Sequence, residues 1–299
     1  MTSATHIRRL RSGSRLIHSA LSACRAFSAG RVKRLPIEII TNEFAFSFAR
    51  EGWNYFRAAV AEYTHDPDIA VEESAFCRFF QDERIRSVRY LNDLLFFHDD
   101  RRRSRQQYQF YLGTYPWSDH VGGGPWGHHF DHVSGRPTRD LYGHHKNIWY
   151  EPGDIGPIRF EWNKTVQLYE SLKAGYAPLR HGHFPEVTLL VRRNGQMRAI
   201  RYNGQHRLAI LSHLNHQHVV VIVPSARDIS ADLRDWPTAS PLPKVVHERE
   251  VVVHEDDVNE WYYVKQGYCT AAQALDIFDA FFDLTGRERL EYLGLAGGY

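Results

Sequence analysis

Between Tyr202 and Leu211 a strand-like segment runs through Asn203-Gly204 into a helix-like one. A glycine at such a junction lets the backbone turn tightly, and the amides that follow point out along the new helix axis. That geometry suits an anion, above all a phosphate. His206 and Arg207 fall in the first helical turn. Positive charge there opposes the helix dipole and costs up to about 1 kcal/mol unless an anion offsets it. Arg207 has the planar fork that matches phosphate oxygens in pairs. His206 reads as a second phosphate donor or a proton-transfer group, because imidazole titrates near neutrality. Gly204 admits close backbone approach, and Gln205 offers its amide. Asn203 either takes the left-handed turn conformation or contacts a metal-bound water. Arg198 and Arg201 add positive charge just upstream. The competing reading is a plain strand-to-helix turn with two exposed basic residues.

Two further groups could do chemistry. Gly127-His128-His129-Phe130-Asp131-His132 and Gly143-His144-His145 bring imidazoles and a carboxylate into short reach. Such a set suits zinc or iron, although its spacing matches no defined metal motif; a wet aromatic loop with incidental histidines is the plainer reading. Glu161, Glu170 and Asp154 form the other group. One of them, Glu161 first, could act as a general base or Mg2+ ligand in phosphoryl transfer. Taken singly, each also reads as a helix-surface acid.

The elements that must position these residues are legible as periodicity. Residues 163–174 are amphipathic, with Val166, Tyr169 and Leu172 in register and Gly175 at the expected cap. Residues 187–193 and 196–202 read as strands joined by Asn194-Gly195, a hairpin signal. A helix over 205–214 and a β-branched strand over 219–223 follow, so the unit is strand, strand, helix, strand. Upstream, helices are expected over 43–64, 72–80 and 84–97. Downstream, Thr270 and Gln273 form a capping box before a helix with Ala274, Phe278, Phe281 and Phe282 on one face. Residues 111–160 show no clean period, and a loop that long is functional or disordered as a rule.

The chain has 299 residues, with 43% hydrophobic and 24% charged, as expected of an ordinary soluble protein. It contains no apolar run long enough for a membrane span. Its three cysteines are widely spaced and indicate neither a disulfide framework nor a cysteine-rich zinc site. The net charge of +2 hides an asymmetry. Every ionised side chain before Glu38 is basic, so the body that follows is mildly acidic, which argues against DNA binding. The basic stretch, rich in Ser and Ala, reads as a disordered arm or a targeting segment. The compartment expected is cytoplasmic, or the mitochondrial matrix if the basic stretch is a transit peptide.

At Gly204-Gln205-His206-Arg207, with its flanking strands and helices, the chain resembles the ParB/sulfiredoxin superfamily over roughly residues 160–225. More loosely, Trp149-Tyr150-Glu151-Pro152, Asp235-Trp236-Pro237 and the 274–282 helix resemble an uncharacterised group carrying that domain. The resemblance implies a small α/β domain whose Gly-x-x-Arg turn holds nucleotide phosphates. Sulfiredoxins carry a reactive cysteine where this chain has Gln205, which argues against sulfinic acid reduction. ParB proteins carry further Arg and Ala positions where this chain has Ala209 and Ile210. They also continue into a helix-turn-helix domain, of which 225–260 gives no sign.

The expectation is therefore an α+β protein. Its parts are a basic arm (1–37), a helical segment (38–110), an irregular loop (111–160), a ParB/sulfiredoxin-like domain (161–225) and a C-terminal extension (226–299). The expected ligand is a nucleotide, ATP or CTP with Mg2+, or another phosphorylated small molecule. Asn203, Gly204, Gln205, His206, Arg207 and Arg201 would hold it, and His206 and Glu161 would serve any phosphoryl transfer. A non-catalytic binding or scaffold module and a His-loop metalloenzyme are the alternatives.

Overall fold

The computed structural model describes residues 31–86, 88, 90–96, 98–99, 115–117, 155–177, 184–223 and 252–295, and the backbone of two short strands at 129–130 and 137–138. The architecture is α+β, built on a six-stranded mixed sheet. Strand β1 (Val32–Pro36) runs antiparallel to β7 (His218–Ile222), and β2 (Ile40–Thr41) runs parallel to β6 (Met197–Asn203). The central hairpin pairs β5 (Glu186–Val191) with β6. Its turn is closed by Arg192 and Gln196 at 2.9 Å, as Asn194-Gly195 predicts. The other edge of β5 meets β7 at Glu186 and β8 (Val252–His254) from Leu189 to Val191. A separate pair, β3 (His129–Phe130) and β4 (Pro137–Thr138), is antiparallel.

Three helices form the layer that carries the Gly204 turn. They are α1 (Tyr55–His65), α5 (Gly156–Lys173) and α6 (Gln205–His213), each packed on the other two. Helices α2 (Ala75–Gln81), α3 (Glu83–Arg86) and α4 (Leu91–Phe96) follow α1 in the chain. After β8 come α7 (Tyr262–Lys265), α8 (Ala271–Asp283) and α9 (Arg287–Tyr292). The capping box of α8 is formed as the sequence predicts. One core runs from the sheet into both groups of helices. Its densest part is aromatic: Phe46, Trp53, Tyr55, Phe79 and Phe80 meet mainly edge to face, the arrangement the ring quadrupole favours.

Several element boundaries differ from the sequence expectation. The helix expected over 43–64 begins only at Tyr55. Before it, Asn42 accepts the amides of Phe44 and Phe46 at 3.0 and 2.9 Å, and Ala45 adopts a left-handed φ of 54°. This turn buries Phe46 and Ala49 without a helix, and Asn54 then caps α1 through the Phe56 amide at 3.0 Å. The 84–97 helix is replaced by two short ones, α3 and α4. The 72–80 helix starts at Ala75, where Ser74 caps it through the Cys77 amide. Conversely, α5 starts seven residues before the expected start at residue 163, with Pro157 in its first turn. The basic arm ends in β1, so residues 32–36 are part of the sheet. Residues 1–30 and most of 111–154 lie outside the described residues.

Candidate functional site

Strand β6 delivers Asn203 to the start of α6, and Gly204 is the left-handed N-cap, with φ 87°. A side chain there would be strained by that angle. A Cβ would also lie 2.8 Å from Cα of Pro185, so the close approach that Gly204 permits is to the chain itself. The Asn203 carboxamide oxygen accepts from the Gly204 amide at 2.7 Å, and no side chain caps α6. Asn203 and Gly204 thus shape a helix start whose amides are left without a side-chain cap.

His206 points into the helix layer. Its Nε2 lies 2.8 Å from Glu161 Oε2 and its Nδ1 lies 2.8 Å from Thr165 Oγ1. Phe56 covers the ring, at 4.0 Å between centroids. A carboxylate can only accept, so Nε2 carries the proton and Nδ1 faces the Thr165 hydroxyl. The Glu161 carbonyl lies 2.6 Å from the same hydroxyl, so it and Nδ1 compete for that group's single proton. Burial pushes the His206 pKa down, and the Glu161 bond opposes it. For Glu161, burial would raise the pKa, but the His206 bond and Lys164 carry it below the usual range. The two residues expected to do catalysis are therefore in direct contact. The carboxylate that offsets the positive first turn is in part the protein's own.

Gln205 is buried and donates Nε2 to Tyr55 Oη at 2.9 Å, and Asn42 donates to the same oxygen at 3.1 Å. Arg201 is also interior. It forms an ion pair with Glu43, with side chains 4% and 6% exposed, and donates Nη1 to the Tyr202 carbonyl at 3.0 Å. Burial first, then Glu43, pushes the Tyr55 pKa well up, so the phenol stays neutral. This network keeps three buried atoms with no partner among the described residues: Glu43 Oε1, Arg201 Nε and Gln205 Oε1. Arg201 and Gln205 stand behind the turn, in the interior.

Arg207 is 9% exposed and faces Tyr176, the residue after the Gly175 turn. Burial lowers the Arg207 pKa and Tyr176 opposes it. Of the other acids, Glu170 is on the exposed side of α5, and Asp154 lies outside the described residues. So do His128, Asp131, His132, His144 and His145. For His129 only the backbone is described, in β3. Among the described residues no group of three or more His, Cys, Asp and Glu could hold a metal ion.

Thr165, Glu43 and Tyr55 were missed from the sequence. Thr165 was findable, because it lies four residues after Glu161 and so shares its helix face. Glu43 and Tyr55 carry no local signal; long-range packing brings them beneath the turn.

No helix among the described residues is long and apolar enough to cross a membrane. Comparison with family models, curated proteins and solved structures found no match to this chain.

Proposed function

We propose that this chain binds a nucleotide, ATP or CTP with Mg2+, by its phosphates over the start of α6, and that β5, β6, α6 and β7 form a ParB/sulfiredoxin-like domain. The observation that carries the reading is the left-handed Gly204 cap. It opens a nine-residue helix whose start no side chain caps, with Arg207 in the first turn. The strand–strand–helix–strand order supports the domain assignment. The phosphates accept from the first-turn amides and Arg207 adds a fixed positive charge. Bound Mg2+ supplies further charge compensation along the phosphate chain.

Phosphoryl transfer is the enzymatic form of this reading. Glu161, held ionised at the helix start, is its candidate base, and His206 is a positioning residue for that carboxylate. Binding without turnover is the second reading. What favours it is that both ring nitrogens of His206 are already engaged by α5.

The test is a calorimetric titration of ATP, ADP, CTP and GTP, each with Mg2+, into wild type, Arg207→Ala and Arg207→Lys. One nucleotide should bind with micromolar affinity. Arg207→Lys, which keeps the charge and loses the fork, should weaken it while circular dichroism stays native. No heat with any nucleotide from folded wild-type protein overturns the proposal. Phosphate release that disappears in Glu161→Gln, with binding retained, selects the enzymatic form.

A further inference from the structure

Gly204 and His213 stand at opposite ends of α6, roughly 13 Å apart by helix rise. Beside His213, a cavity of about 570 Å3 runs along α1. Asn54, Arg57, Ala58, Ala61, Glu62 and His65 line it, and their spacing of three and four lays one helix face along its floor.

Four guanidinium groups reach this cavity from separate segments: Arg50 before α1, Arg57 on α1, Arg78 on α2 and Arg287 on α9. Arg57 donates to the carbonyls of Ala49 and Arg50, and Arg78 donates to the Glu73 carbonyl at 2.6 Å. Those acceptors are neutral, so they orient the cations without cancelling their charge. Two of the three wall carboxylates are turned to backbone amides. Glu62 accepts from Ala75 at 2.6 Å and Phe76 at 3.4 Å, and Asp66 accepts from Asp68 at 3.1 Å. Arg50 and Arg287 are exposed at the rim. Burial, then the like charge of Arg287, lowers the Arg57 pKa, and Arg50 adds to this while Glu51 opposes it.

Behind the cations stand two buried donors with no acceptor among the described residues, Asn54 Nδ2 and Trp53 Nε1. Asn54 is 1% exposed and its oxygen is committed to capping α1. Trp53, Ala58, Ala61, Ile69 and Leu290 give the same cavity an apolar wall.

We propose that this cavity is a second ligand site, for a small phosphorylated organic molecule whose apolar part rests on α1 and whose phosphate meets Arg50, Arg57 and Arg287. The size falls within the range of small-molecule pockets, about 300–1,000 Å3. Guanidinium forks match phosphate oxygens better than lysines do. The inference is independent of the reading of the Gly204 turn.

Calorimetry of the full chain with phenyl phosphate tests it, with inorganic phosphate and phenol as the separate halves. Phenyl phosphate should bind saturably and more tightly than either half. Arg50→Glu with Arg287→Glu, both at exposed positions, should weaken it by about tenfold or more. Asn54→Asp, which keeps the helix cap and adds negative charge, should weaken it in the same direction. Arg207→Lys should leave it unchanged, which separates this site from the one at Gly204. Absence of saturable binding, equal affinity for phenyl and inorganic phosphate, or affinity unmoved by the charge reversals overturns the proposal. So does a loss confined to Arg207→Lys.

Discussion

Arg289 holds its guanidinium carbon 3.9 Å from the centroid of the Phe46 ring. Its terminal nitrogens donate to the carbonyls of Phe44 and Ala45, at 2.5 and 2.7 Å, and the residue is fully buried. The last described helix thus pins the turn in which Ala45 is left-handed. Burial lowers the Arg289 pKa to about 10, opposed by Glu288, and at neutral pH the group remains charged. Replacing it with Met keeps most of the volume and removes every donor. The expected loss is about 3 kcal/mol, from two orphaned carbonyls and the lost charge–ring contact. Urea denaturation measures it, and an unchanged midpoint would mean that the turn holds itself.

Burial of His206, beside Glu161, makes stability depend on acid. The unfolded imidazole takes up its proton near pH 6.5, and the folded one only at lower pH because burial disfavours the charge. Below about pH 6.5 the unfolded chain therefore binds more protons, and stability falls with pH toward the folded value. Glu161 acts in the same sense at lower pH. Its contribution is present above about pH 4.3 and is lost as pH drops through its depressed folded value. His206→Gln should flatten the decline between about pH 7 and pH 5. Parallel stability profiles for wild type and variant would refute the linkage.

Arg201 and Glu43 should behave as one unit. Glu43→Gln leaves a buried guanidinium without its counterion and should cost about 3–5 kcal/mol. Glu43→Leu combined with Arg201→Met should recover much of that loss, because an apolar pair needs no desolvated charge. A double-mutant cycle in guanidinium chloride measures the coupling, and additive effects would show that the pair is not energetically joined. Because Arg201 is engaged inside, nucleotide affinity per folded molecule should be nearly unchanged in the double variant.

The hairpin, α6 and β7 could be read from the chain because each has its own local signal: Asn194-Gly195, Asn203-Gly204 and a β-branched run. β1 and β2 could not. Val32–Pro36 sits in a basic stretch without strand alternation, and its pairing with β7 depends on residues nearly two hundred positions away. The 43–54 turn imitates a helix because aromatics at helical spacing are buried by a different backbone route. At the site, the positions of Gly204, His206 and Glu161 were legible, and their orientations were not. Helical spacing says that Arg207 and His206 share a turn. It does not say that one faces Tyr176 and the other a carboxylate on α5.

One edge of β5 is shared between β7 at its first residue and β8 at its last three. The central strand is therefore sealed by two pieces of chain that meet only in the folded protein, one of them from beyond residue 250. A fragment ended after β7 would keep the Gly204 turn and uncover the backbone donors and acceptors of Leu189 to Val191. Such an open edge recruits strands from other molecules. The segment after β7 is thus a chaperone in cis for the sheet, and transplanting the Gly204 turn into another protein requires carrying Val252–His254 with it.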